Sequence, residues 1–189
     1  MNRFHRHLLP AALALALTGA SAVAVGTTAA SAGTPAVTAS SPSCSTTWGS
    51  LAKNSTPLTT SRIGDVRTGQ HTCFDRLVVD LAGNHTRAGY TVRYVSTVRA
   101  EGSGTPVPLR GGARLQVTAH APTTRSWQHP TELADVTGYR TFRQVAWAGS
   151  FEGYSTVGLG VRARLPFRVL TLDGPGNGTR LVVDVAHHW

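Results

Sequence analysis

Carboxylates are scarce in this chain: Asp and Glu together number nine in 189 residues, against 18 Lys and Arg. So few acids leave little material for the paired carboxylates of glycoside hydrolysis. The two in matching settings, Asp80 and Asp184, read as strand-end carboxylates satisfied by arginine or by turn amides. Cysteine is almost missing, with Cys44 and Cys73 the only two. Their spacing is not Cys-x-x-Cys, which argues against a redox or metal pair. No serine sits in Gly-x-Ser-x-Gly; Gly149-Ser150-Phe151-Glu152-Gly153 misses that pattern by one residue and falls in a predicted hairpin. No His-x-x-x-His occurs, and adjacent His187 and His188 on a strand point to opposite faces, so no metal site is expected. The glycine-rich loop Gly174 to Gly178 lacks a following Lys-Ser/Thr and joins strand to strand, which makes it a turn and not a phosphate cradle. These absences together predict a non-enzyme without a cofactor.

Long apolar runs are also lacking, except at the start. Arg3, His5, Arg6 and His7 precede an uncharged run from Leu8 to Val25, and Ala30-Ser31-Ala32 follows as a small-x-small cleavage signal. A membrane anchor would need about 20 strongly apolar residues, whereas this run is diluted by Ala, Gly, Ser and Thr. Residues 1–32 therefore read as a signal peptide, and no membrane span is expected after its removal. From Gly33 to Ser43 the composition is Ala, Thr, Ser and Pro with Val37 the sole large apolar residue, a flexible linker. The remainder, 44–189, suits one domain. An even cysteine count in an exported chain predicts a Cys44–Cys73 disulfide. Closing a loop of about 30 residues stabilises by roughly 3.5 kcal/mol in the chain-entropy model.

What is abundant is arginine. Removing Arg3 and Arg6 from the 18 basic residues leaves 16 against nine acids, and of those 16 only Lys53 is lysine. An exported basic domain meets wall polymers, anionic headgroups and acidic polysaccharides before nucleic acid, which is not an expected partner. The arginines are spread along the chain with no run of three, so arginine standing in for lysine throughout explains them equally well.

Strand patterns dominate. Arg-Leu-Val-Val-Asp occurs twice, at Arg76–Asp80 and Arg180–Asp184, each a β-branched core bracketed by charge. Leu77, Val79 and Leu81 alternate against Val78 and Asp80; Tyr90, Val92 and Tyr94 against Thr91, Arg93 and Val95. Ala113, Leu115, Val117 and Ala119 alternate most cleanly, with Arg114, Gln116, Thr118 and His120 on the wet face. Tyr139–Phe151 and Tyr154–Val161 flank a Glu152-Gly153 turn. Gly158 and Gly160 share one face, which predicts a bulge or a tight approach by another strand. Phe167–Leu172 and Thr179–Ala186 form a further hairpin. Leu51–Thr60 reads as an irregular arm, and Ala121–Gly138, with Pro122 and Pro130, as a long loop holding one helical turn near Thr131–Ala134. About seven strands without a long helix predict an all-β, single antiparallel β-sandwich. The two repeated strands either occupy equivalent places in two sheets or pair side by side.

Candidate ligand contacts follow from exposure and chemistry. Arg93, Arg114 and Arg143 supply positive charge. Phe151 and Tyr154, flanking the turn at Glu152, are the predicted exposed aromatics able to stack on sugar rings, while Trp147 reads as core.

The string Cys73-Phe74-Asp75-Arg76-Leu77-Val78-Val79-Asp80-Leu81, then Gly89-Tyr90, Val92-Arg93-Tyr94-Val95 and Gly104-Thr105-Pro106-Val107-Pro108-Leu109, resembles the AMIN-like domain of exported actinobacterial proteins. Phe151-Glu152-Gly153, Gly158-Leu159-Gly160-Val161-Arg162, Leu165-Pro166-Phe167-Arg168-Val169 and Arg180–Ala186 resemble its later motifs. The resemblance covers about 44–189. It implies a secreted, envelope-associated β-sandwich, distantly similar to the domain that accompanies cell-wall amidases, that contacts peptidoglycan or another anionic wall polymer. It carries over no functional residue. The rival expectation is a secreted partner or inhibitor of another exported protein, acting through the loop Ala121–Gly138.

Overall fold

The structure, a computed structural model, describes residues 44–189 apart from Asn84. The expected signal peptide and linker lie outside the described residues. Eleven strands follow in order: β1 (Lys53–Ser55), β2 (Arg62–Gln70), β3 (Phe74–Ala82), β4 (Tyr90–Val95), β5 (Val98–Arg99), β6 (Pro106–Val107), β7 (Ala113–Ala119), β8 (Phe142–Phe151), β9 (Tyr154–Val161), β10 (Phe167–Asp173) and β11 (Thr179–Ala186). They form a five-stranded sheet, β1-β4-β7-β9-β8, a four-stranded sheet, β10-β11-β3-β2, and the small ribbon β5-β6, all antiparallel. The architecture is the expected sandwich. The count exceeds seven through three strands of two or three residues and through β2.

β2 was not legible as a strand for a specific reason. Its register against β3 shifts between Ile63 and Asp65, a bulge that puts the two buried residues, Ile63 and Val66, three positions apart. A bulge inserts a residue and so breaks the period-two alternation by which strands are recognised. The helical turn expected near Thr131–Ala134 is absent too, and the segment holds only turns and bends.

The core is where the inner faces of the two sheets meet. Leu77, Val79, Leu181, Val183 and Val185 come from one sheet and Val92, Leu115, Val117, Val157 and Leu159 from the other, all nearly inaccessible to water, with Phe142 and Phe167 closing the ends. Each such side chain contributes about 1.5–3 kcal/mol relative to exposure.

The repeated strands pair side by side. Antiparallel pairing of two identical pentapeptides about their central valines, Val78 opposite Val182, puts the first residue of each copy against the last of the other: Arg76 faces Asp184 and Arg180 faces Asp80. Arg76 donates to both oxygens of Asp184, Nε to Oδ1 at 2.6 Å and Nη2 to Oδ2 at 2.9 Å. Arg168 Nε donates to the same carboxylate at 2.8 Å. The other end differs because β2 supplies a competitor: Arg67 forks onto Asp80 at 2.6 and 3.1 Å, and Arg180 donates to the Asp173 carbonyl instead. Asp184, fully buried, thus holds two arginines whose guanidiniums lie over the rings of Phe74 and Trp48. A buried carboxylate requires this kind of compensation.

The segment between β4 and β7 folds back as a flap over the outer face of the five-stranded sheet. Val98 and Leu109 there pack on Ala146 and Ala148 in a second, smaller core. This accounts for the paired glycines of β9. A Cβ on Gly158 would come within 2.9 Å of Leu109, and one on Gly160 would collide with the Arg110 carbonyl oxygen. The tight approach expected from sequence comes from this flap.

Two tethers complete the frame. The Cys44–Cys73 disulfide is formed and no free cysteine remains. Asp75, wholly buried, accepts from the backbone N–H groups of Thr141 (2.6 Å) and Phe142 (3.0 Å) on Oδ2 and pairs with His187 Nε2 (3.0 Å) on Oδ1. His188, on the opposite side of the strand end, is exposed and reaches the Cys44 carbonyl.

Candidate functional site

The inner residues of β4, β7 and β9 are committed to the core, so strand alternation turns the intervening residues outward. Register then fixes which of them are neighbours. Asn54, Thr91, Thr118 and Thr156 stand opposite one another across β1, β4, β7 and β9. The next row is Arg93, Gln116 and Gly158; the one after is Val95, Arg114 and Gly160. Arg93 and Arg114 are therefore diagonal neighbours on adjacent strands, a relation that sets residues about 7–8 Å apart, within reach of long side chains. Neither guanidinium has a hydrogen-bond or carboxylate partner among the described residues. By contrast Arg67, Arg76, Arg87, Arg110, Arg125 and Arg168 all reach carboxylates.

The flap roofs β8 and β9 and reaches β7, where Thr118 is buried; Asn54 on β1 and Arg93 on β4 stay exposed, while Thr91, Arg114 and Gln116 are half-buried. Along its margin runs a cleft of about 520 Å³ walled by Arg93, Ser96, Thr97, Arg99, Glu101 and Gln116. Glu101 is anchored at both ends. Its backbone N–H donates to the Ala148 carbonyl at 2.7 Å, and its Oε1 accepts from Thr156 Oγ1 at 2.6 Å. Thr156 in turn shares a 2.6 Å hydrogen bond with Thr118, which accepts from Gln116 Nε2 at 3.4 Å. Arg99 gives one N–H to the Gly104 carbonyl at 3.0 Å, leaving the rest of its fork free.

The aromatic candidates border the same face. Phe151 and Tyr154 pair directly across the β8–β9 hairpin and are 52% and 38% exposed. Tyr154 lies edge-on to His120 with ring centroids 5.0 Å apart, and the Phe151 ring sits against Gly102 in the flap. Glu152 and Gly153 at the turn both have positive φ, 48° and 86°, the two-residue geometry whose twist matches the strands. Trp147 is partly buried against the main core.

Arg143 stands apart. Its guanidinium donates to the carbonyls of Tyr139 (3.1 Å), Phe142 (2.8 Å) and Arg140 (3.4 Å), at the far end of β8. It borders a different cleft, about 380 Å³, with Arg110, Glu132 and Asp135. There the Glu132 carboxylate holds the Arg110 guanidinium above its ordinary pKa, and hydrogen bonds from Thr137 hold Asp135 below the usual carboxylate range. The loop Ala121–Gly138 also has a visible structural task. Leu133 N–H donates to Val145 O (2.8 Å), Trp147 N–H to Pro130 O (2.6 Å) and Gln144 Nε2 to Thr131 O (2.9 Å), so the loop covers the open edge of β8.

Five of the six candidate contacts thus gather around one outer face, with Glu152 at the turn tip. Sequence reasoning missed Arg99, Glu101, Gln116 and the threonine row. Alternation on β7 marked Gln116 and Thr118 as wet, but Gln116 is half-buried and Thr118 is buried beside Thr156, which Glu101 of the flap covers. Nothing local to the flap signals that it folds back beside them. Among the described residues, no group of three His, Cys, Asp or Glu side chains is placed to hold a metal ion, and no helix is long and apolar enough to cross a membrane.

A family model described as the AMIN-like domain matches residues 61–187. No curated protein and no solved structure matches the chain.

Proposed function

Because this chain belongs to the AMIN-like domain family, we propose that it is a secreted, non-catalytic, envelope-associated module that contacts peptidoglycan or another anionic wall polymer. Family membership by itself points to a peptidoglycan-related binding or targeting module and, with the disulfide, to an extracytoplasmic setting. The finer reading places the contact on the outer face of the five-stranded sheet. The observation that carries it is the pair Arg93, exposed, and Arg114, half-buried, neighbours on one outer face with no internal partner among the described residues, near Asn54, Thr91 and two exposed aromatic rings. Such a surface suits a charged glycan: guanidinium forks meet carboxylates, hydroxyls and amides meet sugar hydroxyls, and aromatic faces stack on rings.

Sedimentation with purified cell wall tests this. At about 0.1 M salt, where charges interact over roughly 10 Å, the protein is expected in the pellet; at about 1 M salt much of it is released. The double variant Arg93→Gln/Arg114→Gln, altering one exposed and one half-buried strand position, should pellet several-fold less. A wild-type protein that stays in the supernatant at low salt would sink the proposal.

A further inference from the structure

Resting on the reading of this face as the wall-contact surface, we propose that the cleft beside the β5–β6 ribbon binds a zwitterionic group, a carbon bearing both a free ammonium and a free carboxylate, as at the end of an amino-acid side branch. A surface built for polyanions alone presents cations alone. This cleft sets Glu101 among its walls together with Arg93 and Arg99. Five of the other acids pair with arginine and Asp75 pairs with His187; Glu101, like Asp135 and Glu152, forms no ion pair among the described residues, although Arg93 and Arg99 wall the same cleft. It is nonetheless held still, by its backbone bond to Ala148 and by the hydroxyl of Thr156, itself braced by Thr118.

An immobilised carboxylate without a cation repels a simple anion and attracts an ammonium. Arg93, with no internal partner, and Arg99, with most of its fork unused, present charge-assisted donors to a carboxylate. Gln116, Ser96 and Thr97 add neutral donors and acceptors on the same walls. A ligand carrying only one of the two charges leaves half of this arrangement unanswered; a zwitterion answers both.

Titration calorimetry with three synthetic tripeptides tests the assignment. The first ends in 2,6-diaminopimelate with its second amino-acid centre free, the second carries an acetylated amine at that centre, and the third has lysine there and so lacks the carboxylate. The free form should bind about tenfold more tightly than either, the scale of one charge-assisted hydrogen bond. Glu101→Gln keeps an oxygen for Thr156 and should abolish discrimination against the acetylated peptide; Arg93→Gln should abolish discrimination against the lysine peptide. Equal affinities in the wild type, no binding of any peptide, or unchanged selectivity in Glu101→Gln overturns the assignment. Wall sedimentation separates the two claims. Pelleting without peptide selectivity rejects the zwitterion site and keeps the wall reading, whereas selectivity without pelleting rejects the wall reading.

Discussion

Replacing Asp75 by alanine should be the most damaging single truncation of a polar side chain in this fold. Its carboxylate is fully buried and serves three groups on two other parts of the chain: the N–H groups of Thr141 and Phe142 where β8 begins, and the His187 ring after β11. Alanine strands all three. A buried donor left unpaired costs about 1–3 kcal/mol, and three donors lose their acceptor here. The losses overlap because the three donors relax together, so the expected destabilisation is about 4 kcal/mol. For a domain of this size that lowers Tm by roughly 8–16 °C, and with a urea m-value of about 2 kcal/mol per molar it moves the unfolding midpoint by about 2 M. Urea titration of the disulfide-intact protein, followed by circular dichroism, reads this directly, and an unchanged m-value would show that stability and not compactness was altered. Asp80→Ala provides the contrast. Its partner, Arg67, is about half exposed, and such pairs are worth about 0–1 kcal/mol. If Asp75→Ala costs less than about 1 kcal/mol, or no more than Asp80→Ala, the reasoning that Asp75 ties β3, β8 and the C-terminal tail together is refuted.

Gly160→Ala should destabilise by about 1–3 kcal/mol, the range for overpacking, because the new methyl meets the Arg110 backbone and not a yielding side chain; a urea midpoint equal to wild type would mean the flap does not press on β9 as described. Tyr94→Phe should cost about 1–3 kcal/mol, since its hydroxyl donates to the Leu165 carbonyl (2.9 Å) and accepts from the Leu165 N–H (3.0 Å). Burial raises the Tyr94 phenol above its ordinary value of about 10, so above that pH the folded protein holds a proton the unfolded chain has released. Its stabilising effect is intact below about pH 10 and declines as pH rises toward the higher folded value. The stability gap between wild type and Tyr94→Phe, measured at about pH 8 and pH 11, should therefore narrow, and a gap that widens contradicts the burial argument.

The readable parts of the fold were those with unbroken alternation. β7 and β4 were legible because each alternates core residues with mostly polar ones on the other face, although on β7 that face is half-buried to buried, and the β8–β9 hairpin because Glu152-Gly153 meets a turn requirement that few residue pairs satisfy. β2 was hidden by its bulge, which shifts the buried set by one residue midway. Of the candidate contacts, Arg93 and Arg114 could be seen to point outward, since each alternates with core residues. Arg143 looked equivalent in sequence, yet its neighbours turn it back onto three carbonyls of its own chain. Whether an arginine is free or spent depends on acceptors brought up by other segments, and local pattern carries no record of them.

The sequence by itself determined the all-β class, the disulfide pair, the exposed hairpin aromatics and the family. Periodicity, cysteine parity and turn chemistry are local properties that survive without knowledge of the fold. Only the tertiary structure decided that the two Arg-Leu-Val-Val-Asp strands pair side by side, that Asp184 serves two arginines while Asp80 turns to Arg67, and that the flap brings Glu101 and Arg99 beside Arg93. Those are outcomes of strand order and register. Each joins residues tens of positions apart, through pairings that several topologies with the same alternation would have permitted differently.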